Sequence, residues 1–266
     1  MPFLVCPNQV AFVPRRKIQD NIVITQEVFH KFRTMKGHRW YMTWKIDLAK
    51  AYNKLQWSFI KSVLVEIGID KKLVELIMWC ITSDQYQVIL NDELKEPFRP
   101  IVALGKGTLS PLTSFVLCME KLSHLISHNL LQGTWKSVRI FRDGPKVSHI
   151  FFADNLILFG QATTSQAEIM ENYLDTFCKI SGQQISFTKS RVLCSSNMKE
   201  RDTIRIAQVC GSPLTDNLGK YLGVPLIHRR VSNQTYSDLV EKTQKRLAAW
   251  KSDTLSLAGR VTLIKL

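Results

Sequence analysis

Two aspartates, Asp47 and Asp154, have the sequence surroundings of residues that could do chemistry. Asp47 ends the apolar stretch "WKID", and Asp154 ends "FFAD" within the run "FFADNLILFG". Strands that are distant in sequence can be neighbours in a sheet, where two carboxylates at adjacent strand ends would bind Mg²⁺ together with substrate phosphates. Such a pair predicts metal-assisted phosphoryl transfer.

A simpler interpretation makes residues 151–160 a β-hairpin without a chemical role. Asp and Asn both tolerate the left-handed backbone angles of tight hairpin turns, so Asp154 and Asn155 would then be turn residues only. Both interpretations contain the hairpin. They differ in whether the carboxylate at its tip has a partner elsewhere in the chain.

The hydrophobic patterns predict an α+β chain around these aspartates. Apolar residues at helical spacing predict helices, and short aromatic or β-branched runs between turn residues predict strands. The predicted helices cover residues 18–35, 58–69, 71–81, 111–130 and 165–180, with basic helices over 237–266. The predicted strands cover 41–48, a hairpin turning at Asn91 and Asp92, a meander over 137–160, and 220–226.

Positive charge is concentrated at the two ends of the chain. The net charge of +14 comes from residues 1–46, with 8 basic and 2 acidic side chains, and residues 181–266, with 14 and 6. The stretch between them is neutral, with 14 of each. Basic flanks favour a polyanion such as nucleic acid, because each neutralised phosphate releases counterions. Simple solubility is the alternative explanation.

The six cysteines include no CxxC pair, so neither a zinc site nor a disulfide framework is indicated. We expect an intracellular location, in the nucleus if the chain is expressed, since free thiols persist in reducing compartments. No apolar run approaches the ~18–20 residues that span a bilayer, which predicts no membrane partner.

Several longer motifs occur in a fixed order along the chain. They are "QVAFVPRRKIQDNIVITQEV", "KIDLAKAYNKLQWSFI", "GTLSPLTSFVLCMEKLSHLI", "FFADNLILFG", "SGQQISFTKS", "KYLGVPL" and "LAAWKSDTLSLAGRVTLIKL". In order and spacing they resemble the reverse transcriptases of non-LTR (LINE-type) retrotransposons, above all those of plants. The resemblance extends over essentially the whole chain, and although each motif alone is weak, the set is specific.

This resemblance implies a right-hand polymerase palm, an antiparallel sheet with packed helices, joined to partial fingers and the start of a helical thumb. The segments would be 1–46 for the fingers, 47–210 for the palm, and 211–266 for the primer-grip region and thumb. The implied activity is RNA-directed DNA synthesis. It would use an RNA template, a DNA primer, deoxynucleotide triphosphates and Mg²⁺ or Mn²⁺.

The resemblance also implies roles for individual residues. Asp47 and Asp154 would hold the metal, with Asn155 beside them. Contacts with the incoming nucleotide would come from Tyr52, as a gate against the ribose 2′-hydroxyl, and from Ser110 and Lys189. Residues of the primer grip would be Tyr221, Leu222 and Gly223. The cations facing nucleic acid would be Arg15, Arg16, Lys17, Lys242, Lys245, Arg246 and Lys251.

Three departures from the family pattern bear on activity. The family has two adjacent aspartates where this chain has Asp154 and Asn155, and a carboxamide in that place removes one negative charge from the metal site. Asn53 also replaces an aspartate, and we expect it to cap the following helix. The loop 104–111, "LGKGTLSP", lacks a Gln-Asp pair and one residue. We therefore expect impaired activity, with a non-catalytic, basic nucleic-acid-binding remnant as the alternative.

Overall fold

The computed structural model describes residues 4–35, 39–83, 85–98, 109–141, 144–227, 236–246 and 255–265. The helices are α1 (Ile18–Thr34), α2 (Ala51–Lys54), α3 (Trp57–Glu66), α4 (Lys71–Thr82), α5 (Leu109–Leu131), α6 (Thr164–Ser181), α7 (Glu200–Val209), α8 (Ser237–Arg246) and α9 (Leu257–Lys265). The strands are β1 (Tyr41–Asp47), β2 (Ile89–Leu90), β3 (Glu93–Leu94), β4 (Val138–Arg139), β5 (Lys146–Val147), β6 (His149–Phe152), β7 (Asn155–Gln161), β8 (Arg191–Cys194), β9 (Lys220–Tyr221) and β10 (Val224–Pro225).

A four-stranded antiparallel sheet in the order β6-β7-β1-β8 forms the centre of the molecule. β1 and β7 are paired over seven residues, from Tyr41 opposite Gln161 to Asp47 opposite Asn155. Because side chains alternate between the two faces of a strand, β7 presents Leu156 to one face and Ile157 to the other. Both are fully buried, so the sheet is covered on both sides.

Helices α3, α5 and α6 cover the first face of the sheet. Trp44 of β1 packs there against apolar residues of these helices, such as Phe115 of α5 and Phe177 of α6. The indole of Trp44 is fully buried, and its Nε1 donates to the Ser212 hydroxyl at 3.0 Å. This hydrogen bond removes the cost of burying the polar end of the ring.

Helix α1 and the β9–β10 hairpin cover the second face. Val28, Phe29 and Phe32 of α1 pack against Ile157 and Phe159 of β7, in a cluster that also contains Leu218, Tyr221 and Leu226. Phe29 meets Phe159 edge-on at 6.4 Å between ring centroids. A short stretch at residues 8–10 adds to the outer edge of β6 through a parallel bridge between Gln9 and Phe151.

Most of the predicted elements are confirmed. The five internal helices correspond to α1, α3, α4, α5 and α6, and the hairpin at Asn91 and Asp92 has positive φ at both residues. Three elements were not predicted: the single turn of helix α2, the four-residue strand β8 that begins with Arg191, and the predominantly polar helix α7. β8 is defined by its pairing with β1, which is a long-range contact that local patterns do not contain.

The predicted division into three segments stays a prediction. Strand β1 begins at Tyr41, so the central strand of the sheet crosses the predicted boundary after residue 46. Val5, Ala11 and Val13 also share a core with the sheet. All six cysteines are free thiols. No helix in the described ranges combines the length and apolar character needed to cross a bilayer.

Candidate active site

Asp47 and Asp154 lie at the same edge of the central sheet. Asp47 is the last residue of β1 and stands directly opposite Asn155, the first residue of β7. Asp154 immediately precedes Asn155 in the β6–β7 turn. Directly opposed Cα atoms in an antiparallel pair are ~5 Å apart, and consecutive Cα atoms are ~3.8 Å apart, so the Cα atoms of the two aspartates are at most ~9 Å apart. Both side chains are partly exposed.

The β6–β7 turn differs by one residue from the prediction. The residue with left-handed backbone angles is Ala153, with φ of 52°, and the turn residues are Ala153 and Asp154. The predicted turn at Asp154 and Asn155 is wrong, because Asn155 already pairs with Phe152 and Asp47 as part of β7. This shift places the Asp154 carboxylate at the tip of the hairpin.

A loop between α6 and β8 holds the backbone of Asp47 in place. Ser186 N–H donates to the Asp47 carbonyl at 2.8 Å, and Asp47 N–H donates to the Ser190 hydroxyl at 3.2 Å. The fully buried Ser190 hydroxyl in turn donates to the Ser186 carbonyl at 2.9 Å. The loop also carries Lys189, whose Nζ lies 4.0 Å from Asp47 Oδ1. The positioning role of Ser190 was not found from the sequence.

Tyr52 lies close to the two aspartates. It belongs to α2, and its ring packs against Phe115 with 4.5 Å between centroids. Burial, with a smaller contribution from the negative charge of Asp154, raises the pKa of Tyr52 to about 12. The structure thus gathers Asp47, Asp154, Asn155, Tyr52 and Lys189 at one place.

Asn53 does not cap a helix. It lies inside α2, whose preceding residue Lys50 has left-handed backbone angles, and the residue that precedes α3 is Gln56. The predicted capping role is therefore wrong, because the chain makes an extra helical turn between β1 and α3 that local spacing did not indicate.

Gln9 holds the β6–β7 turn through a hydrogen bond, and this role was not predicted from the sequence. Its side chain is 1% exposed, and its Oε1 accepts hydrogen bonds from Ala11 N–H at 3.0 Å and from Ala153 N–H at 3.3 Å. Ala153 is the residue before Asp154, so Gln9 ties the N-terminal segment to the backbone of the candidate site. A lone glutamine in an apolar stretch was the only sequence signal.

The β9–β10 hairpin contains the predicted primer grip and is fixed to the sheet by Lys45. Lys45 Nζ donates to the carbonyls of Leu218 at 3.0 Å and Lys220 at 2.8 Å. Burial lowers the pKa of Lys45, and the nearby Asp47 opposes this effect. On the other side, Gln26 Nε2 of α1 donates to the Pro225 carbonyl at 2.7 Å.

The ring of Tyr221 is 1% exposed and belongs to the core. The ring packs in the cluster that contains residues of α1, so a primer could contact Tyr221 only through its backbone. Gly223 in the turn and Lys220 in β9 are exposed, whereas Leu222 is partly buried. Leu222 and Gly223 have positive φ of 51° and 84°. Their role in a primer grip stays a prediction.

The predicted nucleic-acid cations have different environments. Arg15 and Lys17 are exposed, whereas the Arg16 guanidinium donates to three backbone carbonyls of the N-terminal segment, those of Val5, Cys6 and Gln9. Arg16 therefore has a structural role, and its contact with nucleic acid stays a prediction.

The remaining predicted residues lie in α5, α8 or outside the described ranges. Lys242 and Lys245 are exposed on α8, where Lys245 pairs with Glu241 at 2.5 Å. Ser110 is the second residue of α5. Lys251 and most of the loop 104–111 lie outside the described residues, as do the side chains of Ser110 and Arg246.

The structure is similar to a telomerase from Candida tropicalis, solved in complex with a fragment of telomeric RNA, with a TM-score of 0.56 and 12% sequence identity. The similarity covers 97% of this chain and 42% of the telomerase chain. The chain therefore has the right-hand polymerase fold, with its antiparallel palm sheet.

The model of the family "Reverse transcriptase (RNA-dependent DNA polymerase)" matches residues 3–226. The chain belongs to this family, and the predicted resemblance is confirmed at that level. It is also 36% identical over 42 residues to a putative ribonuclease H protein of Arabidopsis thaliana. That alignment covers 16% of this chain and 7% of the relative.

The two aspartates at this edge of the central sheet fit a divalent cation that also takes ligands from its substrate. Asp47 and Asp154 supply carboxylate oxygens, the donors that hard cations prefer, and Mg²⁺ usually keeps waters and phosphates as its other ligands. Among the described residues there is no cluster of three or more His, Cys, Asp or Glu that could form a closed metal cage. The two carboxylates thus suit a divalent cation whose remaining ligands are waters and phosphates.

Proposed function

We propose that this chain is the polymerase domain of a non-LTR retroelement, and that it extends a DNA primer on an RNA template. The observation that carries the proposal is the register of β1 and β7, which aligns Asp47 with Asn155 and so brings Asp154 beside it. The substrates would be deoxynucleotide triphosphates. A nuclear location follows from the same proposal, and imaging of the tagged chain in cells would test it.

In this proposal Asp47 and Asp154 hold Mg²⁺ or Mn²⁺. Such an ion, when bound, activates the attacking hydroxyl and stabilises charge on the transferred phosphoryl group. The chain itself positions the two carboxylates. The loop between α6 and β8 fixes the backbone of Asp47, and Gln9 fixes the turn that carries Asp154. Lys189, next to Asp47, would offset negative charge on the leaving pyrophosphate.

Tyr52 would select the sugar of the incoming nucleotide. Its ring is held against Phe115. Its hydroxyl is protonated at neutral pH, as that of any tyrosine is, and burial and Asp154 raise its pKa further, to about 12. A fixed aromatic ring beside the two aspartates could exclude a ribose 2′-hydroxyl by steric contact. Replacement by alanine should therefore raise ribonucleotide incorporation relative to deoxynucleotide incorporation.

Asn155 should make the metal site weak. The carboxamide removes one negative charge directly opposite Asp47. Two unit charges at ordinary ion-pair distance contribute about 1 kcal/mol even in water, and a divalent ion doubles this, so the missing carboxylate is worth about 2 kcal/mol. We expect slow primer extension by the wild-type chain.

Primer extension on an RNA template, with Mg²⁺ or Mn²⁺, tests the proposal. Asn155→Asp should raise the rate by more than tenfold, which corresponds to the ~2 kcal/mol above, and Asp47→Asn should abolish extension. Asn172→Asp is the matched control, because it adds the same charge on the exposed surface of α6 and should leave the rate unchanged. Extension that survives Asp47→Asn would refute the assignment of the site.

The second candidate function is nucleic-acid binding without catalysis. Asn155 in the metal site favours it, together with the net charges of +6 and +8 on the two ends of the chain. It requires binding that weakens steeply with salt, and no extension even by Asn155→Asp. The same extension assay, combined with a salt titration of binding, separates the two functions.

A further inference from the structure

A second, basic cleft lies at the opposite end of the central sheet from the aspartates. Its volume is about 850 Å³, and it is bounded by the end of α1, the start of β1, the end of α5 and the β4–β5 hairpin. Tyr41, the first residue of β1, lines the cleft, whereas Asp47 is the last residue of the same strand. Six steps along a strand span ~20 Å, so this cleft is separate from the candidate active site.

Five cations line this cleft, and no acidic residue is among its described lining residues. They are Lys31, Arg39, Lys136, Arg139 and Lys146. In the described parts of the chain, no carboxylate forms an ion pair with Lys31, Arg39, Lys136 or Lys146. Concentrated like charges without counterions raise the local potential and attract an anionic ligand.

Three of these cations come from the central stretch of the chain, whose net charge is zero. Lys136, Arg139 and Lys146 are brought to the end of α1 by the fold, where they meet Lys31. The basic flanks therefore account for only part of this charge, since Lys31 and Arg39 alone come from the N-terminal flank. The cleft is a local concentration of charge that the tertiary structure assembles.

The cleft is also lined by one exposed aromatic ring, Phe141, and by buried or stacked aromatic rings. Phe141 lines it with 59% of its surface exposed. Trp135, which also lines the cleft, is 2% exposed, and its Nε1 donates to the Phe159 carbonyl at 3.0 Å. Tyr41 is stacked on Phe32 with ring centroids 5.8 Å apart. An exposed ring next to cations is the combination that binds single-stranded nucleic acid, since a base stacks while phosphates meet the charges.

We propose that this cleft binds a single-stranded segment of nucleic acid, apart from the strand that occupies the active site. The cations contact phosphates and Phe141 stacks on one base. A duplex is disfavoured because its bases are already stacked and paired, and a ring can reach a base face only where a strand is open. An acidic peptide would satisfy the charges and leave Phe141 without a stacking partner.

Binding of a fluorescent, unstructured RNA oligonucleotide, measured by anisotropy across a salt series in EDTA, tests the proposal. Each phosphate contact on a single strand contributes ~0.7 to the slope of log K against log salt, so Lys136→Gln/Lys146→Gln should reduce the slope by ~1.4. The matched control is Lys61→Gln/Lys71→Gln, which removes two exposed lysines from α3 and α4. Its slope should equal that of the wild-type chain.

The stacking part of the proposal has its own variant. Phe141→Ala should weaken binding of the RNA by about fivefold or more, because base–aromatic stacking contributes about 1–3 kcal/mol. It should leave binding of an abasic oligonucleotide of equal length unchanged. Duplex RNA, single-stranded DNA and polyglutamate serve as competitors, and single-stranded DNA should compete better than the other two.

The outcomes separate this proposal from the proposed function, because no metal or synthesis is involved. Equal slopes for the two double variants would overturn the cleft as a phosphate site. Competition by polyglutamate as strong as by single-stranded DNA, with no effect of Phe141→Ala, would assign the cleft to an acidic protein segment instead. Circular dichroism spectra of all variants should match the wild-type spectrum, since the changed side chains are exposed.

Discussion

The support that Gln9 gives to the β6–β7 turn leads to a quantitative prediction for Gln9→Leu. Leucine has a similar size but no acceptor, so the N–H groups of Ala11 and Ala153 would lose their partner in a buried environment. Each buried, unpaired donor costs about 1–3 kcal/mol, which gives a loss of about 2–6 kcal/mol. Against this, Nε2 of Gln9 has no hydrogen-bond partner among the described residues, so its removal regains about 1–3 kcal/mol. With the middle of each range, the net loss in the free energy of unfolding should be about 2 kcal/mol.

Thermal unfolding and hydrogen exchange would measure the global and the local effect. The melting temperature should fall by several degrees, because about 1 kcal/mol corresponds to roughly 2–4 °C for a chain of this size. Exchange of the Ala153 amide should accelerate more than exchange in the core of β7. In primer extension the Asn155→Asp chain should lose activity when Gln9→Leu is added, since the turn carries Asp154.

Gln183→Leu is the control for this prediction. Gln183 is also buried, and its Nε2 donates to the Ala51 carbonyl at 2.7 Å and not to the β6–β7 turn. It should lower stability without selective exchange at Ala153. If both variants change exchange at Ala153 equally for the same loss of stability, Gln9 does not hold the turn, and the reasoning from these hydrogen bonds is wrong.

Two further predictions concern stability. Gly182→Ala should lower the free energy of unfolding by about 2–3 kcal/mol, because Gly182 has φ of +78° and a Cβ there would lie 2.6 Å from the Lys54 carbonyl oxygen. The control is Gly219→Ala, at a position with φ of +70° and nothing within 4 Å of the added Cβ. It should lower the free energy of unfolding by about 1 kcal/mol in the same denaturant titration. Equal costs would show that the close approach of α2 to the end of α6 is not a constraint. Burial lowers the pKa of His149 to about 3, where its neutral ring bonds to Ser123 and Ser148. Between pH 6.5 and 3 the His149 ring binds a proton only in the unfolded chain. The contribution of His149 to stability should therefore fall by about 1.4 kcal/mol per pH unit as the pH drops. In the His149→Gln variant, unfolding curves measured across that range should lack this slope. An unchanged slope in the variant would contradict a buried, neutral histidine.

The local features of this chain could be predicted from its sequence. The helices α1 and α3–α6 follow from apolar spacing, and the hairpin at Asn91 and Asp92 follows from residues that tolerate positive φ. Motifs in a fixed order were sufficient to predict the family that the match over residues 3–226 shows. The positions of Asp47 and Asp154 at strand ends were also visible, because aromatic and β-branched runs end there.

Other features were decided only when distant segments met. The burial of Tyr221, the short strand β8 and the support from Gln9, Lys45 and Ser190 all depend on partners far along the chain. Sequence spacing assigned Asn53 to a cap and placed the β6–β7 turn one residue too late, because it did not indicate the positive φ of Lys50 before α2 and of Ala153 in the turn.

The sequence by itself thus determined most of the strands, and it placed a carboxylate at the end of one strand and in the turn that follows another. The tertiary structure decided that these strands pair, in a register that aligns Asp47 with Asn155, and that five cations meet at the far end of the sheet. The physical reason is that side-chain alternation specifies the faces of a strand but not its neighbour, which is chosen by the packing of α1, α5 and α6 on the two faces together.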